Sequence, residues 1–276
     1  MLPANSDSAA NVVGMQTSVP TSTKSSQVFK QARHWIQHCQ YHHQKCHWAE
    51  PSDVLPTRLV AVHETSTGLS ARLCNTQSLP ASTKYLTLSH CWGNAKVITS
   101  IELHGIAYMA NGNAKFLTLR ESNKDLFEKS LPIQKLSITF KDALYATVKL
   151  GFNYIWIDSL CIIQDSKDNA DWKVEAAKMC AVYKHAACNL AACAAPKPNV
   201  GLFTGRGRYD CVPVRTRVNW LNNLNNQYAY IQEDTYWKRI EASRLFERAW
   251  VFQEQLLVRR CKQHAATCIE HQSANR

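Results

Sequence analysis

The sequence predicts an α/β domain with a central, mainly parallel sheet flanked by helices, a β-rich insertion and a disordered N-terminal leader. Three observations carry this expectation. Tyr154–Ile157 is a run of aromatic and β-branched residues of the kind a strand buried on both faces requires, and it breaks into polar side chains at Asp158 and Ser159. Apolar residues recur at helical spacing on either side of that strand: Phe140, Leu144, Thr147 and Val148 before it, then Trp172, Ala176, Met179, Val182 and Tyr183 after it. The resulting order of helix, strand, helix and strand calls for crossover connections, which pair strands in parallel beneath helices.

Each element follows from local chemistry. Residues 1–26 are rich in Ser, Thr, Asn and Ala and carry too little apolar surface to offset the entropy of ordering, so they read as a disordered leader. Residues 27–56 read as a Cys/His-rich helix over Gln27–His47 and a linker punctuated by Pro51 and Pro56. The main domain is expected over residues 57–260. It begins with Thr57–Glu64 and Gly68–Asn75 as a hairpin, then Lys84–His90 as the first core strand. Asn111-Gly-Asn113 marks a turn, and Asp125–Lys129 a short helix. The helix that starts near Ile138 is expected to stop at Gly151, a residue suited to the left-handed conformation that ends helices. A helix follows over Asn169–Lys184, then a buried strand over Cys188–Cys193. Residues 212–235 read as antiparallel β or loop, and Glu247–Arg259 as a final helix.

Composition narrows the function classes. The chain has 276 residues, 45% of them hydrophobic, with eight tryptophans, enough for one sizeable core. A formal charge of +11 admits an anionic partner, but the basic residues are dispersed. The densest group, Arg206, Arg208, Arg215 and Arg217, reads as a solvated face rather than a nucleic-acid surface. Eleven cysteines without a secretory signal point to reduced thiols and a cytoplasmic setting. The apolar runs are too short to span a bilayer. Neither a phosphate-binding loop nor a glycine-rich dinucleotide fingerprint occurs, which leaves ATP hydrolysis and ordinary dinucleotide binding without support.

Two groups of residues are candidates for chemistry. Glu175 falls three positions after Trp172 and four before Met179, so a carboxylate interrupts an otherwise apolar helix stripe just beyond the strand that ends in Asp158 and Ser159. A carboxylate in that position is either stabilised by the helix N-terminus and Lys178, or desolvated in the way active sites tune acids. Cys39, His43 and Cys46 share one helical face, a spacing that suits a zinc ion, with His34, His38, His42 and His47 beside them.

The wording of three blocks is more specific than their pattern. Tyr85-Leu-Thr-Leu-Ser-His-Cys-Trp-Gly93, Tyr154-Ile-Trp-Ile-Asp-Ser-Leu-Cys-Ile-Ile-Gln-Asp165 with Asp171-Trp172, and Arg248-Ala-Trp-Val-Phe-Gln-Glu-Gln-Leu-Leu257 occur in that order. Together, over about residues 85–258, they resemble the HET (heterokaryon incompatibility) domain of filamentous fungi. Because such domains continue with another strand after this last block, the resemblance implies that residues 261–276 are an atypical, truncated tail, poorly packed from about Lys262 onward. The resemblance implies a role in non-self recognition and programmed cell death, exercised as a signalling and assembly module through protein partners or self-association. A distant likeness of such domains to TIR domains implies an alternative, cleavage of NAD. On that analogy Ser89, Trp92, Gly93, Asp158 and Ser159 would line the ligand crevice and Glu175 would be the acid, because a carboxylate beside the ribose stabilises an oxocarbenium-like transition state.

Overall fold

The computed structural model describes residues 20–42, 55–92, 97–98, 106–109, 116–205, 214–217, 228–231, 243–247, 251, 254, 260–263 and 271–273. The strands are β1 Arg58–Thr65, β2 Gly68–Asn75, β3 Leu86–Ser89, β4 Val97–Ile98, β5 Ile106–Met109, β6 Phe116–Leu117, β7 Tyr154–Trp156, β8 Cys188–Ala191, β9 Val214–Arg217, β10 Tyr228–Ile231, β11 Arg260–Gln263 and β12 His271–Ser273. The helices are α1 Ser26–His42, α2 Lys124–Lys129, α3 Ile138–Lys149, the single turn α4 Asp158–Cys161, and α5 Ala170–His185.

Seven strands form one open sheet in the order β12-β11-β8-β3-β7-β1-β2. Its middle is parallel: β11 with β8, β8 with β3, and β3 with β7. Both flanks are antiparallel, so the sheet is mixed rather than mainly parallel as the sequence led us to expect. The cause is the hairpin. β1 and β2 are joined by a two-residue turn at Ser66-Thr67 with Gly68 at φ 128°, and a turn that short permits only antiparallel pairing. β1 then docks antiparallel on β7, with Val60 opposite Ile155.

The core lies along the buried central strands. Leu86, Leu88, Ile155, Trp156, Ile157, Cys188 and Leu190 are all at most 2% exposed. α3 covers the sheet with Phe140, Ala143, Leu144 and Thr147, a spacing that places one stripe on one face. Ser137 caps its N-terminus by accepting from the Phe140 amide, and Gly151, at φ 87°, ends it as expected. α1 lies against α3 through Phe29, whose ring meets Tyr145 and Phe203 edge-on at 5.8 Å each. Gly201, at φ 92°, brings the chain so close to α3 that a Cβ there would sit 2.7 Å from an Asp142 carboxylate oxygen.

Three further expectations meet the structure at their edges. Of the leader, residues 1–19 lie outside the described residues, but Thr23 is fully buried and exchanges hydrogen bonds with Thr204. Of the expected final helix, only Val251 and Glu254 among its central residues are described, both helical and buried. Beyond residue 260, where a tail was expected, β11 pairs with β8 and β12 with β11. The antiparallel pair β9–β10 falls within the expected 212–235 segment, and β4–β5–β6 form a separate small sheet.

Candidate functional site: a buried polar junction at the strand ends

The parallel strands end together, and their last residues carry the polar groups. Register places Thr87 beside Asn189 and Ser89 beside Ala191. Asn189 donates from Nδ2 to Ser89 Oγ at 2.9 Å, while Thr87 Oγ1 donates to Asn189 Oδ1 at 2.9 Å. Ser89 Oγ in turn donates to the carboxylate of Glu254. Ser89 is 2% exposed and Glu254 7%, so this is a buried junction rather than a surface contact. Tyr183, from the last turn of α5, is buried beside it. Burial above all, followed by the Glu254 and Asp158 carboxylates, pushes the Tyr183 hydroxyl well above its ordinary range, so it stays protonated.

Asp158 stands at the end of β7 and opens α4. One carboxylate oxygen accepts the Trp92 indole N–H at 3.0 Å, and the other accepts the Ser159 amide at 2.6 Å. His90 Nδ1 lies 3.7 Å from the second oxygen, and its ring packs edge-on against Phe140 at 5.0 Å. The Asp158 side chain keeps 24% of its surface open, whereas Ser159 is fully buried and its hydroxyl has no hydrogen-bond partner among the described residues. Of the five residues expected to line a crevice, the structure thus joins Trp92 to Asp158, places Ser89 in the junction and buries Ser159. Gly93 lies outside the described residues.

Glu175 occupies a different corner. It is 1% exposed, and Oε1 accepts from Thr57 Oγ1 and, at 3.3 Å, from Lys178 Nζ. Lys178 also donates to Thr57 at 2.7 Å, closing a three-residue ring between α5 and the start of β1. The second oxygen, Oε2, is buried with no partner among the described residues. Glu175 makes no hydrogen bond to Ser89, Asp158 or Ser159. The stripe on α5 is the one read in the sequence except at its start. Glu175, Val182 and Tyr183 are buried and Met179 packs partly buried against the core, but Trp172 is 45% exposed.

The first turn of α5 is anchored by Asp171. Arg58, 6% exposed, forks onto both Asp171 oxygens and also donates to the Cys161 carbonyl at 2.9 Å. The same Asp171 accepts the Ile163 amide at 2.7 Å. Asp168 and Asn169, both left-handed at φ 54° and 53°, set up the turn that delivers Asp171 to that position.

Of the three candidate zinc residues, only Cys39 falls among the described residues. Cys39 is 1% exposed on the inner face of α1, and His43 and Cys46 lie outside the described residues. Among the described residues no three His, Cys, Asp or Glu side chains converge on a metal position. No described helix is long and apolar enough to cross a membrane.

Reading from sequence missed Glu254 and Tyr183 as members of the site. The signal was present, since Glu254 lies within the last motif block and Tyr183 near the end of the helix after Asp158. What remained invisible was that all the blocks meet.

A mixed α/β sheet whose parallel strands end in one buried polar junction, built from sequence blocks far apart in the chain, defines the class. The sequence model of the family described as heterokaryon incompatibility protein (HET) matches residues 85–254, from the strand that carries Ser89 to Glu254 itself. The chain belongs to the HET family. No curated protein and no solved structure matches it significantly.

Proposed function

We propose that the chain is a cytoplasmic signalling and assembly module of fungal heterokaryon incompatibility, acting in non-self recognition that ends in programmed cell death through protein partners or self-association. The observation that carries this reading is how the motif side chains are used. Ser89 bonds to Asn189 and Glu254 in the interior, with Tyr183 buried beside them, and Trp92 bonds to Asp158, so they hold a shape rather than present a reagent. The motif helix α5 also leaves apolar side chains outside, with Trp172 45% and Val174 53% exposed, which suits contact with another protein surface.

A second reading, TIR-like cleavage of NAD, has one observation in its favour. Glu175 is buried with one carboxylate oxygen unspent, an arrangement that stores charge for a cationic transition state. Expressing the chain and its Glu175→Gln variant in fungal cells, with viability and NAD content followed together, separates the two. The module reading expects Glu175→Gln to remain toxic with NAD unchanged and only the melting temperature lowered. A folded Glu175→Gln protein that loses toxicity, alongside NAD depletion by the unaltered chain, overturns it in favour of the enzyme.

A further inference from the structure

The histidines of α1 were set aside with the zinc expectation, yet their geometry differs from that of Cys39. His34, His38 and His42 follow one another at i, i+4 and i+8 on the exposed face, opposite the buried row of Val28, Ala32, Ile36 and Cys39. The rings of His38 and His42 lie nearly parallel, 15° apart, with centroids separated by 4.1 Å. His34 and His38 are 6.0 Å apart and tilted by 47°. His42 Nδ1 lies 3.0 Å from the His38 carbonyl oxygen. A carbonyl only accepts, so this nitrogen carries the proton, and in the neutral ring Nε2 then holds an unshared pair pointing away from the helix backbone. A backbone carbonyl that fixes the tautomer in this way is the usual support for a metal-bound histidine.

We propose that His38 and His42 form a two-imidazole site for a divalent zinc-class cation on the exposed face of α1, with water completing the coordination. Imidazole nitrogens bind zinc at about 2.0–2.1 Å, which puts two of them about 3.3 Å apart in a tetrahedral arrangement. The rings, stacked at 4.1 Å, stand near that separation, and their planes, 15° apart, tilt toward each other to aim both nitrogens at one ion. α1 contains no Asp or Glu, so the donor set is nitrogen and water. Such a set favours zinc and nickel over magnesium and calcium, which require oxygen ligands. Occupancy would clamp the last described turn of α1.

The full chain, purified without a histidine tag and with thiols reduced, is titrated calorimetrically with Zn2+, Ni2+ and Mg2+. His38→Gln and His42→Gln replace exposed side chains with a good helix former, and circular dichroism checks that both stay folded. We expect each variant to lose one equivalent of Ni2+ and Zn2+ binding, or to weaken it by at least about tenfold, the minimum seen even for loss of an orienting partner. We expect His34→Gln to retain the site and Mg2+ not to bind. Hydrogen exchange across residues 38–42 should slow on adding Ni2+ to the unaltered chain and not to His42→Gln. Equal stoichiometry and affinity in the unaltered chain and the His38→Gln/His42→Gln double variant would overturn the assignment, as would a His34→Gln loss as large as that of His42→Gln.

Discussion

Ser89 and Glu254 stand 165 residues apart in the chain and share a buried hydrogen bond, which ties the end of β3 to the last motif block. Because Asn189 bonds to the same serine, three distant stretches of sequence depend on one small hydroxyl. Removing it leaves a buried carboxylate short of a partner. Ser89→Ala should therefore cost about 1–3 kcal/mol in urea unfolding. Combined with Glu254→Gln, the double-mutant cycle should return a coupling of about 0.5–3 kcal/mol. Additive effects of the two changes would mean that the junction is not a unit.

The Arg58–Asp171 fork holds the first turn of α5 to β1 with side chains only 7% and 18% exposed. Taking away one partner of a buried pair costs about 3–5 kcal/mol, and with Asp171 partly wet the lower end is expected for Arg58→Ala. Arg58→Lys should recover little of this, because an ammonium cannot serve both Asp171 oxygens and the Cys161 carbonyl together. Thermal melts of the two variants beside Asp171→Asn check the order.

Gly201→Ala tests the close approach over α3. The residue sits at φ 92°, and its new methyl group would press on Asp142 and Ile138. The backbone conformation alone should cost about 1–3 kcal/mol. Asp142→Ala should relieve the clash but not the backbone term, so the double variant should remain less stable than Asp142→Ala alone.

Buried thiols make the fold sensitive to alkali. Burial pushes Cys161 and Cys193 from 9.0 up to about 12. Their folded-state values lie above their unfolded ones, so this stability is complete below about pH 9. It is lost as pH rises toward 12, where the unfolded chain gives up protons that the native chain keeps. Between pH 9 and 11 each such thiol contributes a slope of up to about 1.4 kcal/mol per pH unit. Cys193→Ala should flatten the fall in unfolding free energy by that amount. The same slope in both proteins would rule out a buried, protonated thiol at this position.

How much of this was legible in the sequence depends on range. Local chemistry was read well: Gly151 ends α3, residues 58–75 form the hairpin, and the apolar run at Tyr154–Trp156 is a buried strand beside β3. Non-local pairing was not. Nothing in residues 58–65 says that β1 runs antiparallel to β7, because that choice depends on which strand edge is free once the hairpin has formed. The exposure of Trp172 was also missed. Apolar periodicity favours burying it, but the neighbouring Asp171 takes the fork from Arg58 and Trp172 stays 45% exposed. The site was legible as separate motifs and illegible as a junction, since the contacts that make it span more than a hundred residues.

The stretch that marks this family begins at Tyr85, yet the strand following Asn153 is flanked by a hairpin contributed from upstream of that point. Leu59, Val60, Val62, Ala71 and Leu73, all at most 2% exposed, come from that hairpin. A chain cut at Tyr85 would retain every residue of the signature, lose a wall of its interior and leave the β7 flank as a sticky margin open to other chains. The heritable signature and the unit able to fold therefore have different borders, and recombination that respects only the first would deliver an aggregating product.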